Sequence, residues 1–474
     1  MISFLEALAS SSPTAIALVD RREQLTYGGL RQRAGQIASV LIDRYGTGRF
    51  VLLRANSSVA FVTTLIGIMY SGNTPVPVDP GLPEPALDFM RQKTDAADAL
   101  SPLDVETYHE ALPVDRSDCS HPALVMFTSG TTGVPKGVII SYANLAHSCS
   151  TIAEYLQYRR YPSAAVVLPL HYSYALLSQV FCQLSVGGRV HLFGDLRNPA
   201  KFARIVTASG LETLCGVPSS FHALAMCHSM IPLSMPTIRV LCSAGAPMDR
   251  GRFDTIKEIF QNALFFNNYG MTEAAPRIAF IREDDPRFHE PTCGRPMDGV
   301  DVKVVSPDTH TELPDGEQGV LVVRGPNVTS GYLNEPELTR AAFTADGYLV
   351  SGDAAFMRDG YIFICGRYDD IFNCGGEKVS PGEIERVLNH LDAVEMSAVV
   401  GQPDEQRGMV PVAFLKLARA VARLEIAAAL GAHLPAVKIP QRYYEVTGFP
   451  RTGSGKLQRR QLSPESPYVT REIR

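Results

Sequence analysis

No Cys-x-x-Cys pair occurs in the 474 residues, and the nine cysteines (Cys119, Cys149, Cys182, Cys215, Cys227, Cys242, Cys293, Cys365 and Cys374) are odd in number and widely spaced. That argues against a disulfide framework and against a structural zinc site. Buried thiols in a reducing, cytoplasmic compartment are expected instead. Basic excess is also missing: 44 Lys+Arg against 49 Asp+Glu leaves a net charge of −5. A general nucleic-acid binder would want a basic surface. No apolar run comes near the ~18 residues that span a bilayer. No basic residue precedes Arg21, so the N-terminus does not read as a signal peptide. Internal repeats and low-complexity tracts are lacking as well. With 45% hydrophobic and 20% charged residues, the chain cannot be disordered as a whole. At ~150 residues per domain its length allows about three domains, or one large and one small.

Residues 120–270 carry the clearest rhythm. Short apolar runs, ALVMF (123–127), AAVVLPL (164–170), RVHLF (189–193), ETLCGV (212–217), IRVLC (238–242) and ALFF (263–266), alternate with helical stretches such as ALLSQVFCQLSVG and SSFHALAMC. Strands alternating with helices predict parallel βαβ units and a doubly wound sheet. AIALVD, FVLLRA and TPVPVD are strand candidates in the first 100 residues. After residue 290, DVKVV, GVLVVRG, GYLVSGD and YIFICG are separated by Gly, Asp and Pro turns, which predicts an antiparallel β unit. From about 370, PGEIERVLNHL and EIAAALGAHL read as helices, with AVVG and VPVAFLKL as strands. The expected class is therefore α/β. A large N-terminal domain (1–367) would hold doubly wound sheets and a β-rich subdomain at about 290–366. A small α+β domain (368–474) would follow it.

The segment richest in chemistry is TSGTTGVPKG, Thr128–Gly137. It packs three glycines, four hydroxyl residues and Lys136 into ten positions directly after a strand candidate. Glycines let backbone N–H groups turn towards an anion, hydroxyls add donors, and the lysine adds a point charge. A pyrophosphate or triphosphate needs that combination. The spacing is not that of a Walker A loop, because Gly137 follows Lys136, and GSGK at 453–456 fails the same test. The bland alternative is a flexible surface linker.

The order of the words carries a resemblance. TSGTTGVPKG, NNYGMTE (267–273), GYLVSGD (347–353), GRYDD (366–370) and RTGSGK (451–456) occur in sequence, and the likeness extends from residue 25 to residue 462. The chain resembles the adenylate-forming superfamily of acyl-CoA synthetases, aryl-acid ligases and peptide-synthetase adenylation domains. The resemblance implies that a small-molecule carboxylic acid is joined to ATP as an acyl adenylate. The acyl group then passes to the thiol of coenzyme A or of a phosphopantetheine arm on a separate acyl or peptidyl carrier protein. It implies Lys456 as the catalytic lysine bridging carboxylate and α-phosphate, where the plain reading is a solvated lysine in a basic tail with Arg451, Arg459 and Arg460. Thr272 would touch the α-phosphate and Glu273 would hold Mg²⁺, a hard cation suited to a carboxylate beside phosphate oxygens. Their plain reading is the opening of a helix. Thr128, Ser129, Gly130, Thr131, Thr132, Gly133 and Lys136 would cradle phosphates. Gly245, Ala246 and Pro247, with Asn268, Tyr269, Gly270 and Met271, would line the nucleotide, Tyr269 stacking on adenine. Asp353 and Arg367 would take the ribose. Asp369 would be the hinge about which a mobile C-terminal domain turns, exchanging Lys456 for a thioester-forming face that includes CGGEKV (374–379).

The acyl pocket is implied by PLHYSYALL (169–177), with His171, Tyr172 and Ser173, and by Phe221, Ser243 and Arg277. Amino-acid-activating members usually place an Asp after the aromatic of that motif, and here Tyr172 is followed by Ser173. A buried ammonium without a carboxylate partner is costly, so an acyl or aryl acid is favoured over an α-amino acid. His171 departs from the Phe-then-His order of many CoA ligases and reads equally as gate or as structural histidine. Arg277 reads either as a partner for a second carboxylate or polar ring substituent, or as half of a surface ion pair. The stretch 85–120 is short for the family. Coenzyme A is slightly preferred as acceptor. Three other readings stand beside this one: a free amino-acid adenylation enzyme, a non-catalytic nucleotide-binding regulator, and luciferase-like oxidation of an acyl adenylate.

Overall fold

The computed structural model describes residues 8–96, 99–102, 122–129, 135–245, 253–451 and 457–473. The chain forms two compact units, Met1–Val302 with Val323–Leu349, and Lys303–Val322 with Val350–Arg474.

The first unit opens with β1 (Ile16–Val19), β2 (Gln24–Thr26), β3 (Phe50–Arg54), β4 (Thr74–Val78) and β5 (Ala99–Leu100). There follow β6 (Pro122–Ser129), β7 (Pro135–Ser141), β8 (Ser163–Val166), β9 (Arg189–Leu192), β10 (Thr213–Gly216), β11 (Val240–Ser243), β12 (Leu264–Tyr269), β13 (Ala279–Arg282) and β14 (Arg295–Pro296). The main sheet runs β14-β13-β12-β11-β10-β8-β9-β1-β2. Its centre, from β12 to β1, is parallel, and antiparallel strands close both edges. Strands buried on both faces read as continuous apolar runs: VLCS of β11 and TLCG of β10 are wholly buried. Chain order reverses at β8, which lies between β9 and β10. In such sheets ligands sit beyond the carboxyl ends of the strands at the switch point. PLHYSYALL leaves β8 there, Ser243 ends β11, and NNYGMTE leaves β12.

One expectation is corrected. ALVMF belongs to β6, which pairs antiparallel with β7 in a sheet of two strands and does not join the parallel sheet. A parallel return needs a crossover of a dozen or more residues. Only residues 130–134 separate β6 from β7, so a hairpin is the available solution. A second, all-parallel sheet has the order β4-β3-β5. Both prolines of TPVPV sit on its edge strand, where the missing N–H costs least.

The second unit carries the sheet β15 (Asp301–Val305), β16 (Gly319–Arg324), β17 (Leu349–Arg358) and β18 (Tyr361–Arg367), in that order, with β17 and β18 antiparallel. The 367/368 junction expected from the sequence falls inside this unit, where a short 3-10 turn, Tyr368–Asp370, leads on from β18. Beyond it lie β19 (Phe372–Cys374), β20 (Glu377–Val379), β21 (Val394–Asp404), β22 (Gly408–Leu417), β23 (Arg442–Val446) and β24 (Val469–Glu472). They make a sheet of order β20-β19-β22-β23-β24, with β21 also on β22. Strand β22 shows the two-residue period. Ala413 and Leu415 join a core with Ile384, Leu388, Ile426 and Leu430 from the helices Pro381–Leu388 and Arg423–Gly431. Val412 and Phe414 join a second core with Tyr444 and Leu462 on the other face. Among the described residues no helix is long and apolar enough to cross a membrane.

Candidate active site

The β6–β7 hairpin sets Thr128 directly opposite Lys136. Residues 130–134, with Gly130, Thr131, Thr132 and Gly133, lie outside the described residues, as does the Ser129 side chain. The flank of the hairpin carries a contact the sequence did not announce. Tyr332 bridges Val138 in antiparallel fashion, and Leu333 N–H donates to the Gly137 carbonyl at 2.8 Å. The Lys136 ammonium lies 5.5 Å from the centre of the Tyr332 ring, within reach of its negative face. The Tyr332 hydroxyl donates to Glu273 Oε1 at 3.2 Å. One tyrosine thus links the hairpin lysine, expected at the phosphates, to the expected magnesium carboxylate.

The turn bearing Thr272 and Glu273 is held at both ends by the irregular segment 327–329. Thr329 N–H donates to the Glu273 carbonyl at 2.8 Å. The Asn327 amide donates to the carbonyls of Ala274 (3.1 Å) and Arg277 (2.7 Å). Asn144, which completes the capping box of Ser141 at the start of the helix Tyr142–Tyr155, donates in turn to the carbonyls of Pro326 and Val328. The helix opening foreseen as the plain reading of Thr272 and Glu273 is not formed. Thr272–Ala274 is a single 3-10 turn without a side-chain cap at Met271. Gly270 is required by close approach: a Cβ there would lie 2.0 Å from the Pro276 carbonyl oxygen and 2.8 Å from the Arg277 Cα. Asn268 is buried, donating to the Ser243 carbonyl (3.3 Å) and accepting from the Tyr155 hydroxyl (2.9 Å). The Tyr269 carbonyl accepts from Ile278 N–H. Gly245 follows β11 in a left-handed conformation, φ +88°. Ala246 and Pro247 lie outside the described residues.

The acyl-side residues are mostly interior. The helical stretch that starts at Ser173 runs through a π-helical segment, Leu176–Phe181, to Ser185, an irregularity often found at functional sites. Ser173 is buried, and its hydroxyl hydrogen-bonds that of Thr272 at 2.9 Å. The aromatic-following position is therefore tied to the expected α-phosphate position. His171 packs edge-on against Tyr172, with Nε2 3.7 Å from an Asp79 carboxylate oxygen and Nδ1 buried without a partner. Burial pushes the imidazole down, with Asp79 opposing. Burial, then Asp79, pushes the Tyr172 phenol up to about 12. Phe221 is core, edge-on to Phe265. The Ser243 hydroxyl is buried without a partner. Arg277 does not make the outward ion pair considered above. It is 1% exposed, its guanidinium 5.0 Å from the Tyr174 ring centre and 3.4 Å from the Ser178 hydroxyl. A surface cleft of about 220 Å³ lined by residues such as Asp20, His191 and Lys201 holds none of these side chains.

In the second unit Asp353 and Arg367 are direct cross-strand partners on β17 and β18, joined by an ion pair of 3.1 Å. Arg367 also donates to the Ser351 carbonyl at 3.1 Å. Gly352, between Ser351 and Asp353 in sequence, takes φ +71°. Asp369 is exposed on its 3-10 turn. Gly375 and Gly376, both at positive φ, form the two-residue turn of the β19–β20 hairpin that carries CGGEKV. Lys456 lies outside the described residues. Just beyond it Arg459 is clamped, donating to both oxygens of Glu385 (3.2 and 2.7 Å) and to Asp370 (3.0 Å). Reading it as part of a solvated basic tail is corrected by that geometry. The eight cysteines within the described residues are free thiols, six of them buried. Among the described residues no group of three or more His, Cys, Asp or Glu side chains could hold a metal. A lone carboxylate, Glu273, suits Mg²⁺ that takes its other ligands from phosphate oxygens and water.

A hairpin rich in glycine and hydroxyl residues, with its lysine linked through Tyr332 to the carboxylate that follows β12, fits the class of adenylate-forming acid–thiol ligases. Residues 5–333 match the AMP-binding enzymes and residues 383–456 match the AMP-binding enzyme C-terminal domain, and the chain belongs to that family. It is 31% identical to 4-coumarate–CoA ligase 5 of Oryza sativa subsp. japonica over 74% of this chain and 67% of that one. It is 30% identical to a feruloyl-CoA synthase of Amycolatopsis over 95% of both. Among solved structures, the ATP-bound RpMatB-BxBclM chimera B3 superposes with a TM-score of 0.88 at 25% identity, covering 96% of this chain and 97% of that one. The o-succinylbenzoate CoA synthetase of Bacillus subtilis with its acyl adenylate has the same fold, with TM-score 0.85, 24% identity, and 97% and 98% covered. The chain is thus an AMP-forming acid–thiol ligase of acyl-CoA synthetase type. Tyr332, Asn327, Tyr174 and Ser178 were missed in the sequence. Only the last two had a signal, lying within or next to PLHYSYALL.

Proposed function

We propose that this enzyme activates an acyl or aryl acid, not an α-amino acid, and delivers it to coenzyme A. A carboxylate oxygen attacks the α-phosphorus of ATP, the bond to the β-phosphate breaks, and pyrophosphate leaves with the electron pair. The thiol sulfur then attacks the acyl carbon, AMP leaves, and the thiol proton passes to solvent. Thr128–Lys136 and Thr272 would bind the phosphates, Glu273 would hold Mg²⁺, and Mg²⁺ would neutralise phosphate charge. Asp353 and Arg367 would hold the ribose. Lys456 would bridge carboxylate and phosphate, and a lid of 368–474 turning about Asp369 would present the second active face. The free thiols suit a reducing, cytoplasmic setting.

The observation that supports the choice of acid is the Ser173–Thr272 hydrogen bond. It spends the side chain at the ammonium-binding position on a neighbour of the phosphate, and it brings no carboxylate. The plant and actinobacterial relatives named for CoA thioesters support coenzyme A as acceptor over a carrier protein. The test is acid-dependent pyrophosphate exchange over fatty, aryl, dicarboxylic and amino acids, followed by thioester formation with coenzyme A. Exchange with α-amino acids alone would overturn the choice of acid. Adenylate formation without transfer to coenzyme A would move the acceptor to a carrier protein.

A further inference from the structure

Arg277 is a charge without a counter-charge. Its side chain is buried at 1% exposure, its Nε has no hydrogen-bond partner, and it meets the Ser178 hydroxyl and the face of Tyr174. No Asp or Glu pairs with it among the described residues; the titratable groups around it include Tyr155, Tyr174, Cys242, Cys215 and Cys182. Burial pushes both phenols and the Cys242 and Cys182 thiols well above their ordinary range, so these stay neutral. Cys215 alone of the five is pushed down, first by its hydrogen bond with Cys242, and is the rival counter-charge. A buried guanidinium left uncompensated is strongly destabilising, and its planar fork matches a carboxylate.

We propose that the acid this enzyme activates carries a second carboxylate, which Arg277 binds, with Ser178 orienting the guanidinium: its hydroxyl donates to the Tyr174 carbonyl (2.6 Å) and accepts from Arg277 (3.4 Å). The inference rests on the ligase reading above, with Thr272 and Ser173 marking the reacting end. Ser178 lies five residues beyond Ser173 on a stretch that enters the π-helical segment Leu176–Phe181, about one helical turn further on, so the two carboxylates are separated by roughly 5–7 Å. That spacing corresponds to about four carbons between them, or one benzene ring in para arrangement. The substrate class is therefore a medium-length or aromatic dicarboxylic acid activated at one end. Its second carboxylate stays ionised beside the Arg277 guanidinium, which Tyr174 and Ser178 hold in place.

The experiment compares matched pairs in AMP formation: adipate with hexanoate, and terephthalate with 4-methylbenzoate and 4-hydroxybenzoate. The diacids are expected to be favoured at least ~30-fold in kcat/KM, the effect of satisfying a buried charge. Arg277→Met should erase that preference and Arg277→Lys should keep part of it. Equal rates within each pair, preference for the phenol, or unchanged preference in Arg277→Met would overturn the proposal. Calorimetric binding of the same acids to wild-type enzyme with a non-hydrolysable ATP analogue decides the matter even if a variant fails to fold. Tighter diacid binding supports it. Absent or equal binding refutes it and leaves Cys215 as the counter-charge. Diacid binding without any AMP formation would sink the ligase reading while sparing this one.

Discussion

Replacing Arg459 by Met should cost the second unit about 2 kcal/mol, a value between the extremes for buried and surface pairs. The Arg459 side chain is 23% exposed, and its partners Glu385 and Asp370 are 12% and 23% exposed. A fully buried pair that loses one member costs about 3–5 kcal/mol, and an exposed pair about 0.2–1 kcal/mol. Arg459→Met would leave two carboxylates facing a thioether. Glu385 keeps its hydrogen bond from Val399 N–H at 2.7 Å, which offsets part of the loss. For a unit of this size the loss corresponds to roughly 4–8 °C in Tm. Because a chain of two units need not unfold in one step, the assay is hydrogen exchange of the helix Pro381–Leu388 and of β21, alongside denaturant unfolding. Arg459→Lys, which keeps charge but cannot fork, should recover less than half. A cycle with Glu385→Gln should return a coupling of about 1 kcal/mol or more. A loss below about 0.5 kcal/mol with no coupling would place Arg459 among ordinary surface charges and refute the clamp.

Tyr332→Phe removes the hydroxyl that donates to Glu273, and kcat/KM for MgATP should fall about tenfold; an unchanged value would detach Tyr332 from the site. Lys456→Ala should abolish adenylate formation while thioester formation from supplied acyl adenylate persists, and normal pyrophosphate release would rule out its catalytic role. Burial, then the charge of Arg189, pushes His191 down to about 4, against ~6.5 in the unfolded chain. Between those values the unfolded state binds a proton that the folded state refuses, so stability is full above pH 6.5 and falls as pH drops towards 4. The total from this residue is at most about 3 kcal/mol. Denaturant midpoints at pH 7.5 and pH 5 should differ less in His191→Gln than in wild type; equal differences would refute the assignment.

The motifs were legible because each is local. The phosphate segment, NNYGMTE and GYLVSGD are contiguous words, and the strand runs ending at Ser243 and Tyr269 show their burial in their own composition. What stayed hidden depends on partners far along the chain. ALVMF has the texture of a central parallel strand, yet the short link to β7 makes it a hairpin. Nothing near Tyr332 marks it as the neighbour of Lys136 and Glu273, nearly 200 and 60 residues away. Thr272 and Glu273 look like a helix start because hydroxyl-then-acid is what caps use. The helix fails because Pro276 and the Asn327 amide take the chain elsewhere.

Two arginines make the same point about charge. As letters, Arg277 reads either way and Arg459 reads as part of a solvated basic tail, yet an arginine's stem is long enough to reach surface or interior. In the fold both turn inward, and they differ in what meets them. Arg459 finds two carboxylates within 3.2 Å and is thereby accounted for as structure. Arg277 finds a hydroxyl and an aromatic face, which orient a guanidinium without neutralising it. A buried charge compensated by its own chain has no need of a ligand. One that is oriented but meets no carboxylate of its own chain is stabilised by an anion from outside, and the reaction supplies such an anion if its acid has two carboxylates.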